Sequence, residues 1–126
     1  MERSAARFRH AVRNECIIPL EDAVLHISTK EVFFNFGVYE SVKLISGVVV
    51  FLEDHLHRLL ESASRLEIRH SFTPETVTRM MYQLVTEDTL VTATLRIQLI
   101  GGIAPLLFIF PQELPVYPEA YYTSGC

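Results

Sequence analysis

The sequence is short of cysteine: Cys16 and Cys126 are the only two in 126 residues, too few and too far apart for a disulfide framework or a metal-binding knuckle. That usage fits a reducing, cytosolic setting. A surplus of base is missing too. Eleven basic residues face fifteen acidic ones for a net charge of −4, which leaves no broad cationic surface for a nucleic-acid backbone. The apolar runs at residues 45–52 and 99–110 are broken by Ser46, Gly47, Gly101, Gly102 and Pro105. Neither reaches the roughly 18 residues that cross a bilayer, so no membrane span is expected. Arg3, Arg7, His10 and Arg13 are scattered through the N-terminal segment with no apolar stretch of the kind a secretory leader needs behind them, and the segment reads as the start of the mature chain. There is no internal repeat, no glycine-rich phosphate loop, no histidine pair at metal-ligand spacing and no nucleophile elbow.

What is present is a 49% hydrophobic, 21% charged composition, that of one globular domain. A mean hydropathy of +0.24 is high for a chain this small, which points to apolar surface awaiting a partner. Residues 23–27 form a short apolar run and residues 37–45 a Val- and Tyr-rich one; both read as strands. Ser46-Gly47 then separates two apolar runs as a two-residue hairpin turn does, the glycine supplying the positive φ. From Glu53 the period changes. Leu56, Leu59, Leu60, Ala63 and Leu66 fall at helical spacing, with Asp54, Arg58, Glu61 and Arg65 on the opposite face. Thr73-Pro74 is a cap followed by a first-turn proline, and Val77, Met80, Met81, Leu84 and Val85 make the buried stripe of a second helix ending near Thr86. Residues 92–100 and 105–110 read as two further strands joined through Gly101-Gly102. Helices segregated from strands argue for an α+β, two-layer domain with a mostly antiparallel sheet and two helices packed on it.

The charged residues have ordinary explanations first. Asp54 precedes Arg58 by four residues, and Glu61 precedes Arg65 by four, the spacing of solvated helical ion pairs. His55 and His57 point to different faces of their helix and read as boundary or surface histidines rather than metal ligands. The alternative for Arg58 is that a guanidinium, a rigid fork of donors, matches a phosphate monoester.

Read together, Gly37-Val-Tyr-Glu40, the Ser-Gly hairpin, Leu52-Glu-Asp-His-Leu-His-Arg-Leu59 and Ser62-Ala63 resemble the class IV aminotransferases, the pyridoxal-phosphate enzymes of fold type IV. That family includes branched-chain and D-amino-acid aminotransferases and aminodeoxychorismate lyase. Leu95-Arg96-Ile97 before Gly102 resembles a later family segment. The resemblance implies that Arg58 grips the phosphate of pyridoxal 5′-phosphate. It also implies that Phe34, Tyr39, Lys43 and Arg96 line the substrate pocket, aromatic walls holding a side chain and cations facing carboxylates. Each has a plain counterpart, core aromatic for Phe34 and Tyr39, exposed strand charge for Lys43 and Arg96. Departures are visible: Thr29-Lys30-Glu31 stands where the family has Asp-Arg-Gly, Asn35-Phe36-Gly37 where it has Gly-Asp-Gly, and Gly101 where an arginine is frequent. The Arg-x-His loop of D-amino-acid enzymes has no counterpart in residues 103–110, which points away from that specificity.

The cofactor chemistry of the family needs a lysine amine, and the only lysines here are Lys30 and Lys43, neither on the matching motif. The resemblance therefore implies a small N-terminal domain, residues 1–115, with residues 116–126 starting an interdomain linker and the lysine on a second domain. On this expectation the parent moves an amino group between an amino acid and a 2-oxo acid as a cytoplasmic homodimer, and the 126 residues alone are inactive. Two other readings stay open: a lyase acting on aminodeoxychorismate, and a non-catalytic remnant serving as a dimerisation or binding module.

Overall fold

The computed structural model describes residues 8–24, 37–102 and 104–112. Six strands and two helices make up the regular structure of these residues: β1 (His10–Arg13), β2 (Cys16–Pro19), β3 (Gly37–Ile45), β4 (Val48–Val49), α1 (Leu52–Arg65), α2 (Pro74–Glu87), β5 (Ala93–Ile100) and β6 (Leu106–Gln112). The strands form one sheet in the order β2-β1-β6-β5-β3-β4, and every pairing is antiparallel. α1 packs over β3, and α2 over β1 and β2. This is the two-layer α+β arrangement that segregated helices require.

Alternation decides which residues meet the helices. Val42 and Leu44 of β3, Leu95, Ile97 and Leu99 of β5, and Leu107 and Ile109 of β6 face inward and are buried. They meet Leu56, Leu59 and Ala63 of α1 and Val77, Met80, Met81, Leu84 and Val85 of α2. Leu66, at the predicted end of the α1 stripe, is instead 47% exposed, because the helix stops at Arg65 and Glu67 turns into the left-handed region (φ 58°). The Ile68 amide then returns to the Ala63 carbonyl at 2.9 Å, the bond that closes a helix C-terminus. α2 closes in the same way, through Thr89 (φ 47°) and Leu90 to Val85.

The β3–β4 turn matches its sequence signature. Ser46 and Gly47 both have positive φ, 51° and 79°, as a type I′ turn demands. Gly37 is needed for another reason: a Cβ there would sit 2.9 Å from the Leu99 carbonyl oxygen on the paired strand. The N-terminal hairpin β1–β2 was not legible in the sequence. It turns on Asn14 (φ 57°), whose Oδ1 accepts from the Leu107 amide at 2.8 Å and whose own amide donates to the Leu107 carbonyl at 2.7 Å. A side chain thereby links the hairpin turn to β6. The strand read at residues 23–27 does not begin at Ala23 or Val24, which follow a 3-10 turn (Leu20–Asp22) without strand pairing; its remainder lies outside the described residues. No helix among them is long and apolar enough to cross a membrane.

Candidate functional site

The strand β3 and the helix α1 meet at a cluster of three charged or titratable side chains. Glu40 is on the helix-facing side of β3, one residue out of phase with the exposed Tyr39. Its side chain is 13% exposed. Arg58, on α1, donates from Nε to Glu40 Oε2 at 3.0 Å and from Nη2 to Oε1 at 3.1 Å, a two-point carboxylate–guanidinium pairing. His55, one turn earlier, brings Nδ1 to 2.7 Å from the same Oε1.

The protonation states follow from these contacts. The Arg58 hydrogen bond is the largest influence on Glu40 and holds its carboxyl below the usual carboxylate range, with His55 acting in the same direction and partial burial opposing. The carboxylate is therefore ionised and can only accept. It follows that His55 carries its proton on Nδ1 and donates, and that the 3.3 Å approach of Arg58 Nη2 to that nitrogen is proximity rather than a second donation. Glu40 in turn raises the Arg58 pKa, by hydrogen bond and by charge. The Arg58 side chain nonetheless stays 63% exposed, and Nη1 has no hydrogen-bond partner among the described residues.

The Asp54–Arg58 ion pair expected from spacing is not formed. Asp54 acts on Arg58 only as a nearby charge, since Glu40 offers two oxygens to the fork from a partly buried position and a solvated helix neighbour does not compete. The companion pair, Glu61–Arg65, is present at 3.4 Å. His57 is a surface residue, 81% exposed and 4.0 Å from Glu61, and His55 lies at the boundary. Among the described residues no group of acids, histidines and cysteines is arranged to hold a metal ion.

The other expected site residues occupy the opposite face of the sheet. Tyr39, Ser41 and Lys43 are exposed there, and the guanidinium carbon of Arg96, from β5, lies 4.0 Å from the centre of the Tyr39 ring. Arg96 is paired with Ser41 and Gln98 with Tyr39, so the stacking is a diagonal cross-strand contact. The structure thus joins Tyr39 to Arg96 and Arg58 to Glu40 and His55, but puts the two groups on opposite faces of β3. Phe34 lies outside the described residues. Sequence reasoning missed Glu40 and His55 as site residues: Glu40 stood inside the motif, but nothing in its spacing from Arg58, eighteen residues away, pairs the two.

Both groups border one feature of the sheet. β4 pairs only with Leu44 and Ile45, so among the described residues the edge of β3 over positions 37–42 has no strand on the side away from β5.

A family model described as amino-transferase class IV matches residues 37–124. Among curated proteins, the chain is 27% identical over 104 residues to a D-alanine aminotransferase of Listeria monocytogenes, an alignment covering 82% of this chain and 36% of that protein. It is 31% identical over 86 residues to the chloroplastic D-amino-acid transaminase of Arabidopsis thaliana, covering 68% and 21%. Among solved structures, the branched-chain amino acid aminotransferase of Escherichia coli superposes with a TM-score of 0.81 at 17% identity, over 90% of this chain and 42% of that one. A second branched-chain amino acid aminotransferase, solved in complex with N-(5′-phosphopyridoxyl)-L-glutamate, superposes with a TM-score of 0.77, also at 17% identity, over 88% and 42%. At that identity the structures speak for the fold. The chain spans about a third of the length of the Listeria protein.

Proposed function

The chain belongs to the class IV aminotransferases, and from that premise we propose that it supplies the phosphate grip and part of the substrate wall of a pyridoxal-phosphate enzyme that moves an amino group between an amino acid and a 2-oxo acid. The observation that carries this reading is Arg58: exposed, clamped along one edge by Glu40, and with Nη1 left open among the described residues. A phosphate monoester is the ligand class whose geometry and charge suit such a fork. Bound there, the cofactor supplies the electron sink for chemistry at the amino-acid carbon.

In this proposal the cofactor phosphate sits at Arg58 and the substrate at Tyr39 and Arg96, and a molecule lying along the edge of β3 over positions 37–42, which has no neighbouring strand among the described residues, reaches both faces. Arg58 fixes the phosphate. Tyr39 walls the side chain, while Arg96 and Lys43 face carboxylates. The lysine that the reaction needs comes from chain outside these 126 residues, consistent with a span of about a third of the Listeria relative; residues 1–115 then form the small domain and 116–126 lead out of it. A reducing, cytosolic enzyme working as a homodimer completes the proposal. The relatives bear D-alanine names and the structural neighbours branched-chain names, so substrate handedness is decided by assay with both enantiomers.

Two measurements test this. The intact mass of the protein from its native source is expected at two to three times the 14.4 kDa of this chain, in the range of a two-domain protein; 14.4 kDa overturns the parent-enzyme reading. Titration of the chain with pyridoxamine 5′-phosphate, which has no aldehyde to react with Lys30 or Lys43, is expected to give saturable binding that Arg58→Ala abolishes. Equal binding by the variant removes Arg58 from the cofactor site. The competing reading, a non-catalytic remnant in which Arg58 merely ties α1 to β3, draws on the Glu40 pairing itself and on Thr29-Lys30-Glu31; it expects no binding at all.

A further inference from the structure

The Glu40–Arg58 contact uses Nε and Nη2, the edge of the guanidinium nearest the strand. A two-point contact of this kind fixes the plane of the group as well as its position. An arginine side chain free in solvent samples many rotamers, and a ligand that captures it must pay for ordering them. Glu40 is itself held: it is largely buried beneath α1 and accepts from His55 Nδ1 at 2.7 Å. The carboxylate is thus anchored by one partner and uses its remaining acceptor capacity to orient the other.

We infer that Glu40 is a positioning residue for anion binding: with His55 it holds the Arg58 guanidinium in a fixed plane so that Nη1 faces an incoming phosphate. This rests on the reading of Arg58 as the phosphate grip and adds the residue that sets its aim. A carboxylate beside a phosphate site also repels the ligand, so the sign of its net effect depends on magnitudes. At a guanidinium this exposed, screening by water and salt weakens the repulsion, whereas the ordering of one long side chain is recovered in full. The geometry therefore favours positioning over repulsion.

The test uses the 126-residue chain with inorganic phosphate and pyridoxamine 5′-phosphate as probes, in three variants. Arg58→Ala is expected to abolish saturable binding of both. Glu40→Gln, which keeps the length of the side chain but loses the charge and one acceptor, is expected to weaken binding about three- to tenfold, the scale of one newly mobile side chain. Glu40→Asp keeps the charge but withdraws it by one methylene, and is expected to weaken binding at least as much. A second readout separates aim from fold: the Arg58 Nε–H resonance in ¹⁵N spectra is expected to be slow to exchange in the parent chain and fast in both Glu40 variants, while the backbone amide spectrum of the sheet stays in place.

Unchanged or tighter binding by Glu40→Gln overturns the positioning role while leaving Arg58 as the grip. Binding unaffected by Arg58→Ala overturns the grip and the positioning role together. An Arg58 Nε–H that exchanges equally fast in the parent chain shows that Glu40 does not hold it, and this also overturns the inference.

Discussion

Among the described residues two carboxylates accept hydrogen bonds from histidines, and the surroundings of the two differ. Asp88 follows α2. Its side chain is fully buried and accepts from the amides of Arg9 and His10, both at 2.9 Å, and from His10 Nδ1 at 2.6 Å. All three donors belong to β1 or the residue before it, so Asp88 fastens the N-terminal hairpin to the end of α2. Glu40 also accepts from a histidine, but its other donor is an arginine whose far edge stays in solvent. The starts of the two helices differ in the same sense. α2 begins at Thr73, whose Oγ1 accepts from the Thr76 amide at 3.1 Å, with Pro74 in the first turn. α1 begins at Phe51, which is left-handed (φ 55°), makes no side-chain cap and is 73% exposed. Exposed Ile45 and Val48 flank the β3–β4 turn shortly before it. The polar groups around Asp88 are paired with one another, whereas Arg58 keeps one edge of its guanidinium in solvent.

The largest expected effect breaks the Asp88 cluster. Asp88→Ala removes the acceptor of two amides and a ring nitrogen at once and is expected to cost about 3 kcal/mol, the scale for breaking a buried charged network, read from the denaturant midpoint. A loss under about 1 kcal/mol, the scale of a single ordinary hydrogen bond, would mean that water reaches these donors and that the two carboxylates do not differ in kind. Acid should find the same weakness. Burial by itself pushes the Asp88 carboxyl up, but His10 and the two amides together outweigh it and hold it below its ordinary value of 3.8. A carboxyl depressed in the folded state contributes stability above its unfolded value and loses it as pH falls through the folded one. Unfolding titrations are therefore expected to show stability draining away below about pH 4, with a smaller slope in Asp88→Asn.

The helix starts give the next comparison. Thr73→Ala is expected to cost about 1 kcal/mol, as loss of a side-chain cap does. Phe51→Asn is expected to gain up to about 1 kcal/mol, since asparagine tolerates the left-handed region that a bulky side chain occupies at a cost. If Phe51→Asn stabilises α1 but weakens phosphate binding, the strained start belongs to the site rather than to the fold.

What the sequence made legible divides along the same line. Period-2 and period-3.6 patterns, Ser46-Gly47 and Thr73-Pro74 are local signals, and β3, α1, α2, β5 and β6 formed within a residue or two of the expected bounds, while β4 keeps only Val48–Val49 of the apolar run that ends at Leu52. The β1–β2 hairpin was not legible, because its strands are four residues each and its turn rests on Asn14 bonded to Leu107, a contact 93 residues away. Leu66 fell at helical spacing yet lies past the helix end, where Glu67, and no glycine, takes the left-handed position. Arg58 was singled out through its motif, while its partner was misassigned to Asp54: spacing along a helix is visible in a sequence, and the approach of a strand across it is not. The separation of Tyr39 and Arg96 from Arg58 by a whole sheet was hidden for the same reason, since which face a strand residue takes depends on what packs against it.

The smallest expected effect is the most discriminating. Arg58→Ala deletes the exposed partner of Glu40 but leaves the carboxylate with the His55 ring at 2.7 Å and with water. Neither α1 nor the core loses a buried contact, and an exposed guanidinium adds little to stability. The thermal midpoint is therefore expected to stay within experimental error of the parent chain while binding of pyridoxamine 5′-phosphate is lost. A midpoint that falls as far as in Asp88→Ala, with binding retained, would place Arg58 among the residues that hold the domain together and would erase the distinction between the Asp88 and Glu40 clusters.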